Sequence, residues 1–217
     1  MDFSPVRHDD EAYSEYITLF SRCFPSSNKF TRDYLHWLYR LNPHGRAVGF
    51  DAREHGRLAA HYACVPARAF VGSREVSVLL SLNTATHPDY QGRGIFTRLA
   101  ELTYDIGSKL DYDSVYGVAN SNSSPGFIKN LNFQLIAPLR AMIGVGPFRV
   151  NFREMHALDF KRSWKPDSLA WRCASPSNPL AVQAKRDCSI FLPMLYLGEI
   201  LKLSLQFTKG KIYLSWG

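Results

Sequence analysis

Cysteine is scarce in this 217-residue chain, and no two of its four thiols (Cys23, Cys64, Cys173 and Cys188) form a C-x-x-C pair. Structural zinc sites and disulfide frameworks need closely spaced cysteines, so the pattern predicts no metal site and argues against a small disulfide-stapled secreted domain. Isolated thiols of this kind are typical of buried residues in a reducing compartment.

Long apolar runs are also missing. The first thirteen residues contain no apolar segment of the kind that a secretory signal needs. The most apolar stretch, residues 190–205, is interrupted by Pro193, Gly198, Glu199 and Lys202 and is too broken to span a bilayer. We therefore expect a soluble, cytoplasmic protein without a membrane partner.

Acidic residues are few in the last third of the chain. Residues 1–139 hold fourteen Lys/Arg and fourteen Asp/Glu, whereas residues 140–217 hold twelve against five, so the net charge of +7 arises there. A basic surface can attract a polyanionic cofactor or a nucleotide-linked substrate, or it can simply keep the protein in solution. No nucleic-acid-binding motif accompanies the charge, so a nucleic-acid partner is not expected.

A glycine-rich turn between a strand and a helix is the most informative stretch that is present. It reads HPDYQGRGIF from His87 to Phe96, after the alternating strand Val76 to Thr86 and before an amphipathic helix. Gly92 and Gly94 let successive backbone N–H groups converge at the positive end of the helix, which is an anion site suited to a diphosphate. The spacing excludes both the P-loop and the dinucleotide-binding G-x-G-x-x-G turn, because the residue three after Gly94 is Thr97.

The string Gln91-Gly92-Arg93-Gly94-Ile95-Phe96 resembles the acyl-CoA signature Q/R-x-x-G-x-G/A of the GNAT superfamily of N-acetyltransferases. One difference is Phe96, which replaces a small residue. The resemblance implies acetyl-CoA, or another acyl-CoA, as cofactor. It places the diphosphate on the amides around Gln91, Gly92, Arg93, Gly94, Ile95 and Phe96, and the pantetheine arm along Thr84, Ala85 and Thr86.

A second segment, residues 120–136, is similar to the part of GNAT proteins that follows their fifth strand. Asn122 is implied as a further cofactor contact, and Asn132-Phe133 replaces the usual Gly-Phe, since asparagine tolerates the left-handed conformation that a helix end needs. Many members carry a tyrosine five residues before this Phe, placed to protonate the departing thiolate. Here Ile128 occupies that position. Three alternatives follow. Another group protonates the thiolate, the thiolate leaves without protonation by the protein, or the domain binds acyl-CoA and catalyses no reaction.

The periodicity and the resemblance together predict an α/β (α+β) fold of GNAT type. Its central sheet is mixed and mostly antiparallel, with splayed strands 4 and 5 and flanking helices. Helices are expected after Asp9 or Asp10 and from Thr31, strands over 3–7, 47–53, 58–71, 76–86 and 114–119, and a further strand over 134–143. We expect an acyltransferase domain over 1–146 and a basic segment over 147–217 whose final hairpin completes the sheet.

The function that the resemblance implies is transfer of an acetyl group from CoA to a primary amine. The aromatic first helices suggest an enclosed pocket for a small-molecule acceptor, an amino sugar or a nucleotide-linked amino sugar, with Phe30, Tyr34 and Trp37 as substrate contacts. The alternatives are a non-catalytic acyl-CoA-binding module and a protein lysine or N-terminal acetyltransferase. A homodimer is compatible with the sequence. Candidates for the general base are His61, Tyr62 and Tyr116, each equally explained as a packed core residue.

Overall fold

A computed structural model describes residues 1–118, 124–136, 160–177, 180–185 and 188–193. Its strands are β1 (Asp2–Pro5), β2 (Val48–Glu54), β3 (Arg57–Val71), β4 (Arg74–Thr86), β5 (Ser114–Gly117), β6 (Phe160–Arg162), β7 (Leu180–Lys185) and β8 (Cys188–Pro193). The helices are α1 (Asp10–Cys23), α2 (Arg32–Tyr39), α3 (Ile95–Lys109) and α4 (Pro166–Cys173), with a 3₁₀ turn at Pro88–Tyr90 and a π-helical turn at Gly126–Asn130.

The main sheet has the predicted mixed topology. Its strands follow the order β1-β2-β3-β4-β5, and every pair is antiparallel except the parallel pair β4–β5. The parallel pairing stops at Ser81 opposite Gly117, whereas β4 continues to Thr86. Since β4 extends five residues past its last partner on β5, the two strands part at this point, as predicted.

Local signals explain where the first two helices begin. The side chain of Asp9 caps α1 by accepting a hydrogen bond from the Ala12 amide, and Thr31 caps α2 by accepting one from the Tyr34 amide. Both predicted helix starts are therefore confirmed. The buried faces of α1 and α2 pack on one side of the sheet, where Ala63, Val65 and Ala85 contribute the strand side of the core.

Helix α3 covers the opposite face of the sheet. Its buried residues Ile95, Leu99 and Ala100 pack with Tyr62 and Leu79. Successive side chains of β3 point to opposite faces of the sheet and so pack in different cores. Tyr62 and Cys64 face α3, while Ala63 and Val65 face α1 and α2. A helix layer on each face of β4 leaves its free C-terminal end as the place where a ligand can enter the sheet.

Residues beyond the predicted acyltransferase domain join the same sheet and helix layer. Strand β6 pairs antiparallel with β3, and α4 lies against α2, where the rings of Trp37 and Trp171 stack with centroids 4.5 Å apart. Strands β7 and β8 form a separate hairpin. The sequence had not indicated β6 or α4, and the division at residue 146 stays a prediction.

Two predicted strands need comment. The expected strand over 134–143 is wrong at its start, since residues 134–136 are not in a strand, and its remainder lies outside the described residues. The expected final hairpin, residues 201–216, also lies outside them. In the described part of the chain, we find no helix that combines the length and the apolar character needed to cross a membrane.

Candidate active site

The glycine turn before α3 has the backbone geometry of an anion site. Gly92 and Gly94 have φ of 75° and 70°, and Gly94 is the N-cap of α3 without a side-chain cap. The first amides of a helix have no partner within it, so those ahead of Arg98 are free to bind a ligand at the positive end of the dipole. A Cβ placed on either glycine would meet no atom of the described residues within 4 Å, so the space in front of the turn is open among them.

A cleft of about 1050 Å³ begins at this turn and continues between β4 and β5. It is lined by the 81–86 segment of β4, by Gly117 and Val118 after the parting of the strands, and by residues of the π-helical turn such as Phe127 and Asn130. At its other end lies the α1–α2 connection with Phe24, Lys29 and Phe30. The cleft therefore joins the anion site to the face of the sheet covered by α1 and α2.

Most of the predicted cofactor residues line this cleft. They are Thr84, Ala85, Thr86, Gln91, Gly92, Gly94, Ile95 and Phe96. Arg93 does not line it, because its guanidinium lies 4.9 Å from the ring centroid of Tyr90 and donates to the carbonyl of Asp89 at 2.9 Å. Asn122 lies outside the described residues. For every one of these predicted residues, contact with a cofactor stays a prediction.

Phe96 is the large residue in the last position of the signature, and the packing of its ring shows how the turn accommodates it. Its ring packs edge-on against Tyr62 and Phe127, with centroids 5.9 and 5.2 Å away. A Cβ on Gly126 would come within 3.0 Å of the Phe96 ring, so glycine at that position makes room for it. The Phe96 ring therefore packs α3 against the π-helical turn and does not fill the open side of the glycine turn.

The end of the π-helical turn follows the sequence expectation. Asn132 has φ of 53°, the left-handed conformation that was predicted for it. Ile128, which occupies the place of the absent tyrosine, is 40% exposed, and its neighbour Phe127 faces the cleft. Among the described cleft-lining residues of the π-helical turn, Asn130 has the one polar side chain, and its amide can donate a hydrogen bond to a thiolate but cannot protonate it.

The three candidate bases do not line the cleft. His61 is fully buried, with its Nδ1 2.7 Å from Asp51 Oδ1 and its Nε2 2.8 Å from the Tyr39 hydroxyl. Tyr62 is buried under α3 and donates to Ser81 Oγ at 2.8 Å, and burial holds the pKa of Tyr62 well above its usual value. Tyr116 packs against Phe160 in the core below the parting of the strands. None of them can touch a substrate directly in this arrangement.

The three aromatic acceptor candidates differ in position. Phe30 lines the cleft, and its ring stacks on that of Phe20 with centroids 4.3 Å apart. Tyr34 packs against Phe30 and Trp37 behind it. Trp37 is buried, and its indole donates to the carbonyl of Trp171, so its position is explained by the docking of α4. The structure brings only Phe30 of the three to the cleft wall.

The polar cleft residues that sequence reasoning missed include Ser81, Asn83 and Lys29. Asparagine is depleted in strands, so Asn83 inside the strand VSVLLSLNTAT was a signal of an irregularity that periodicity alone overlooks. Lys29 stood in a loop between two helices with no pattern around it. Cys23 also lines the cleft, but burial raises the pKa of its thiol, which donates to the Thr86 carbonyl at 3.4 Å. A thiolate nucleophile is therefore disfavoured.

Comparison with known proteins agrees with this geometry. Residues 5–136 match the family model of the acetyltransferase (GNAT) domain. A sequence search of curated proteins finds no match. The chain is similar in structure to the aminoglycoside 6'-N-acetyltransferase of Acinetobacter haemolyticus, with 14% identity and a TM-score of 0.50 over 70% of this chain and all of that one.

Two further solved structures illustrate the range of relatives. An aminoglycoside acetyltransferase from an uncultured soil metagenomic sample, in complex with sisomicin, is 13% identical with a TM-score of 0.48 over 68% of this chain and 96% of that one. The ribosomal-protein-alanine N-acetyltransferase of Brucella melitensis biovar Abortus 2308 is 16% identical with a TM-score of 0.46 over 68% and 100%. Similarity at these identities does not identify an acceptor for this chain. With the family match covering more than half of its length, the chain belongs to the GNAT family and is an N-acetyltransferase.

Proposed function

We propose that this acetyltransferase moves an acetyl group from acetyl-CoA to the primary amine of a small molecule, an amino sugar or a nucleotide-linked amino sugar. The observation that carries the proposal is the continuity of the cleft, which runs from the glycine turn of α3 past the free end of β4 to the aromatic α1–α2 connection. Such a shape holds a long cofactor at one end and an enclosed acceptor at the other.

The residues of the cleft fit acetyl-CoA. The amides at Gly92 to Phe96 would hold its diphosphate, because open space and a helix N-terminus meet there. The free edge of β4 at Thr84 to Thr86 would bind the pantetheine arm as an added strand does. The bound group supplies an acetyl thioester, which is already activated and needs no covalent help from the protein.

Overall, the nitrogen of a neutral amine bonds to the acetyl carbon, the carbon–sulfur bond breaks, and the proton lost by the amine ends on the thiol product. Among the described residues that line the cleft there is no carboxylate and no imidazole. We infer that water takes the proton from the amine, and that the protein contributes mainly by orienting the two reactants.

The charges of the cleft support an acceptor that is not polycationic. Lys29 is the one charged side chain among the described lining residues, and its ammonium lies 4.8 Å from the ring centroid of Phe30. The loss of surrounding water lowers the pKa of Lys29, which an anionic group of the acceptor would offset. A phosphate-bearing amino sugar fits this charge, and the surplus of basic residues in the last third favours the same class.

An acceptor panel tests the proposal. We expect acceptor-dependent thiol release from acetyl-CoA with UDP-glucosamine, a lower kcat/KM with glucosamine, and the lowest with sisomicin. Lys29→Gln should lower kcat/KM for UDP-glucosamine by about fivefold or more, the loss of one charged contact, and leave that for glucosamine within twofold. Lys109→Gln, at the far end of α3, is the control for a change of net charge.

The opposite preference would reverse the proposal. Turnover of lysine peptides without turnover of any small amine would favour a protein acetyltransferase, and sisomicin as the best acceptor would remove the argument from Lys29. Tight binding of CoA in calorimetry with no acceptor-dependent thiol release would contradict the transfer reaction itself. The cytoplasmic location expected from the sequence stays a prediction.

A further inference from the structure

Asn83 is the extra residue of a bulge in β4. His61 pairs with Ala85, whereas Ala63 pairs with Leu82, so two steps along β3 correspond to three along β4. Asn83 has φ of 45°, the left-handed conformation that asparagine tolerates better than most residues. Bulges re-aim side chains next to functional sites. Here the bulge at Asn83 lies two residues after Ser81, the last β4 residue that pairs with β5, and Asn83 lines the cleft.

The side-chain amide of Asn83 is held by a chain of buried hydrogen bonds. Its Nδ2 donates to the Tyr39 hydroxyl at 3.0 Å, and that hydroxyl lies 2.8 Å from His61 Nε2. His61 Nδ1 lies 2.7 Å from Asp51 Oδ1, and Asp51 Oδ2 accepts from the Tyr16 hydroxyl at 2.8 Å. Tyr39, His61 and Asp51 are all fully buried. The chain thus connects the cleft to the core between α1, α2 and the sheet.

With a neutral imidazole, the directions of these hydrogen bonds are determined. A primary amide nitrogen can only donate, so the Tyr39 hydroxyl accepts a hydrogen bond from Asn83 Nδ2. The same hydroxyl then donates its one hydrogen to His61 Nε2. His61 then carries its hydrogen on Nδ1 and donates it to Asp51. The reverse orientation of the Asn83 amide would need hydrogens on both ring nitrogens of His61, or a hydrogen on the Asp51 carboxyl. The chain therefore selects one orientation of the Asn83 amide.

This orientation leaves the carbonyl oxygen Oδ1 of Asn83 available. Within the described residues Oδ1 has no hydrogen-bond partner, and it is not among their buried unpartnered atoms, which belong to Tyr13, Tyr116 and Arg162. Asn83 also lies on the acceptor side of the cleft, since its partner Tyr39 belongs to α2 and its neighbours Leu82 and Ala85 pack in the core of α1 and α2. An oxygen in this place accepts from an N–H group of a ligand.

We propose that Asn83 Oδ1 accepts a hydrogen bond from the acceptor amine and so aims the nitrogen lone pair at the thioester. A neutral primary amine has two N–H donors and one lone pair, so holding one N–H restricts the direction of the lone pair. Asn83 contacts the substrate and transfers no proton. Tyr39, His61 and Asp51 are positioning residues that act through it. This inference rests on the proposed function.

A double-mutant cycle tests the inference, with UDP-glucosamine as acceptor. Asn83→Gly suits the positive φ and removes the amide, and it should lower kcat/KM for the acceptor by about 10- to 100-fold. Tyr39→Phe frees the amide to rotate and should cost about 3- to 10-fold. The double variant should be no worse than Asn83→Gly, because Tyr39 acts on the acceptor only through Asn83. The affinity for acetyl-CoA, measured by calorimetry, should stay within twofold throughout.

Tyr13→Phe is the matched control for the loss of a buried hydroxyl. Tyr13 packs in the same core, its ring centroid 6.5 Å from that of Tyr39, but its hydroxyl has no hydrogen-bond partner in the described part of the chain. Its kcat/KM should equal that of the wild type, and thermal unfolding identifies any variant that is only misfolded. A glutamine at position 83 would not restore the geometry, so no rescue is expected from Asn83→Gln.

Three outcomes would overturn the inference while the proposed function stands. They are wild-type kcat/KM in Asn83→Gly, losses that multiply in the double variant, and a loss of acetyl-CoA affinity in Asn83→Gly that accounts for its effect. If the wild-type protein releases no amine-dependent thiol with UDP-glucosamine, glucosamine or sisomicin, the proposed function and this inference fall together.

Discussion

At the scale of single residues, Gly92 and Gly94 govern whether the turn before α3 can receive an anion. Their positive φ keeps the backbone in a bend that L side chains adopt at a cost of about 1–2 kcal/mol. Because no atom lies within 4 Å of a Cβ built at either position, a side chain there would project into the cleft and not into the core. Bulk at these glycines should therefore affect ligand binding more than folding.

Gly94→Trp tests this placement. We expect it to abolish detectable CoA binding in calorimetry, since the indole would occupy the space in front of the α3 amides. Gly72→Trp is the matched control, because Gly72 also has positive φ, 58°, and open surroundings but lies in the β3–β4 turn. The control should lose a similar amount of stability and bind CoA normally. Equal binding by both variants would mean that the diphosphate lies elsewhere.

At the scale of elements, the docking of α4 on α2 joins the last part of the described chain to the acetyltransferase core. The stacked rings of Trp37 and Trp171 are nearly parallel, at 13°, and each indole donates to the backbone carbonyl of the other residue, at 2.8 and 3.1 Å. These contacts bury the Trp37 ring, partly bury the Trp171 ring and satisfy both indole donors together. The position of α2, which carries Tyr39, therefore depends in part on α4.

Trp171→Ala should weaken this docking. We expect a loss of about 2–4 kcal/mol in the free energy of unfolding, since a large ring and the hydrogen bond that its indole donates disappear. Trp171→Phe keeps a stacked ring and should lose only about 1 kcal/mol. Trp164→Ala, which removes the ring that lies against the Arg162 guanidinium, serves as the control. Denaturant unfolding measures all three, and an unchanged stability in Trp171→Ala would show that α4 does not support α2.

At the scale of the whole molecule, the net charge of +7 is opposite in sign to the acetyl-CoA that we propose as cofactor. Like the excess of basic residues over 140–217, an open helix N-terminus attracts negative charge through water. Salt screens such attraction, because the Debye length falls from about 10 Å at 0.1 M to about 3 Å at 1 M. Binding of the cofactor should therefore depend on ionic strength, whereas binding of its uncharged arm should not.

Calorimetry at 50 mM and 500 mM NaCl checks this expectation. The Kd of CoA should rise by about three- to tenfold between the two conditions. Pantetheine, which lacks the nucleotide and its phosphates, is the control and should bind with the same weaker affinity at both. A Kd of CoA that does not change with salt would show that its recognition is not electrostatic.

The sequence by itself determined the local parts of this protein. The starts of α1 and α2, the glycine turn ahead of α3 and the left-handed Asn132 each depend on the conformational preferences of a few adjacent residues, so local sequence was sufficient to predict them. The strand–turn–helix order around the turn also identified the family, because the signature is itself a pattern of a few adjacent residues.

Only the tertiary structure decided which distant residues meet. The bulge at Asn83 shifts the register of β3 against β4. No local pattern specifies at which pair of residues this shift occurs. His61 and Tyr62 could have faced a substrate, but packing under α1, α2 and α3 buries both, and the contact between Trp37 and Trp171 spans 134 positions. Local propensity fixes dihedral angles, whereas register, burial and long-range contacts follow from how the helices and strands fill space together.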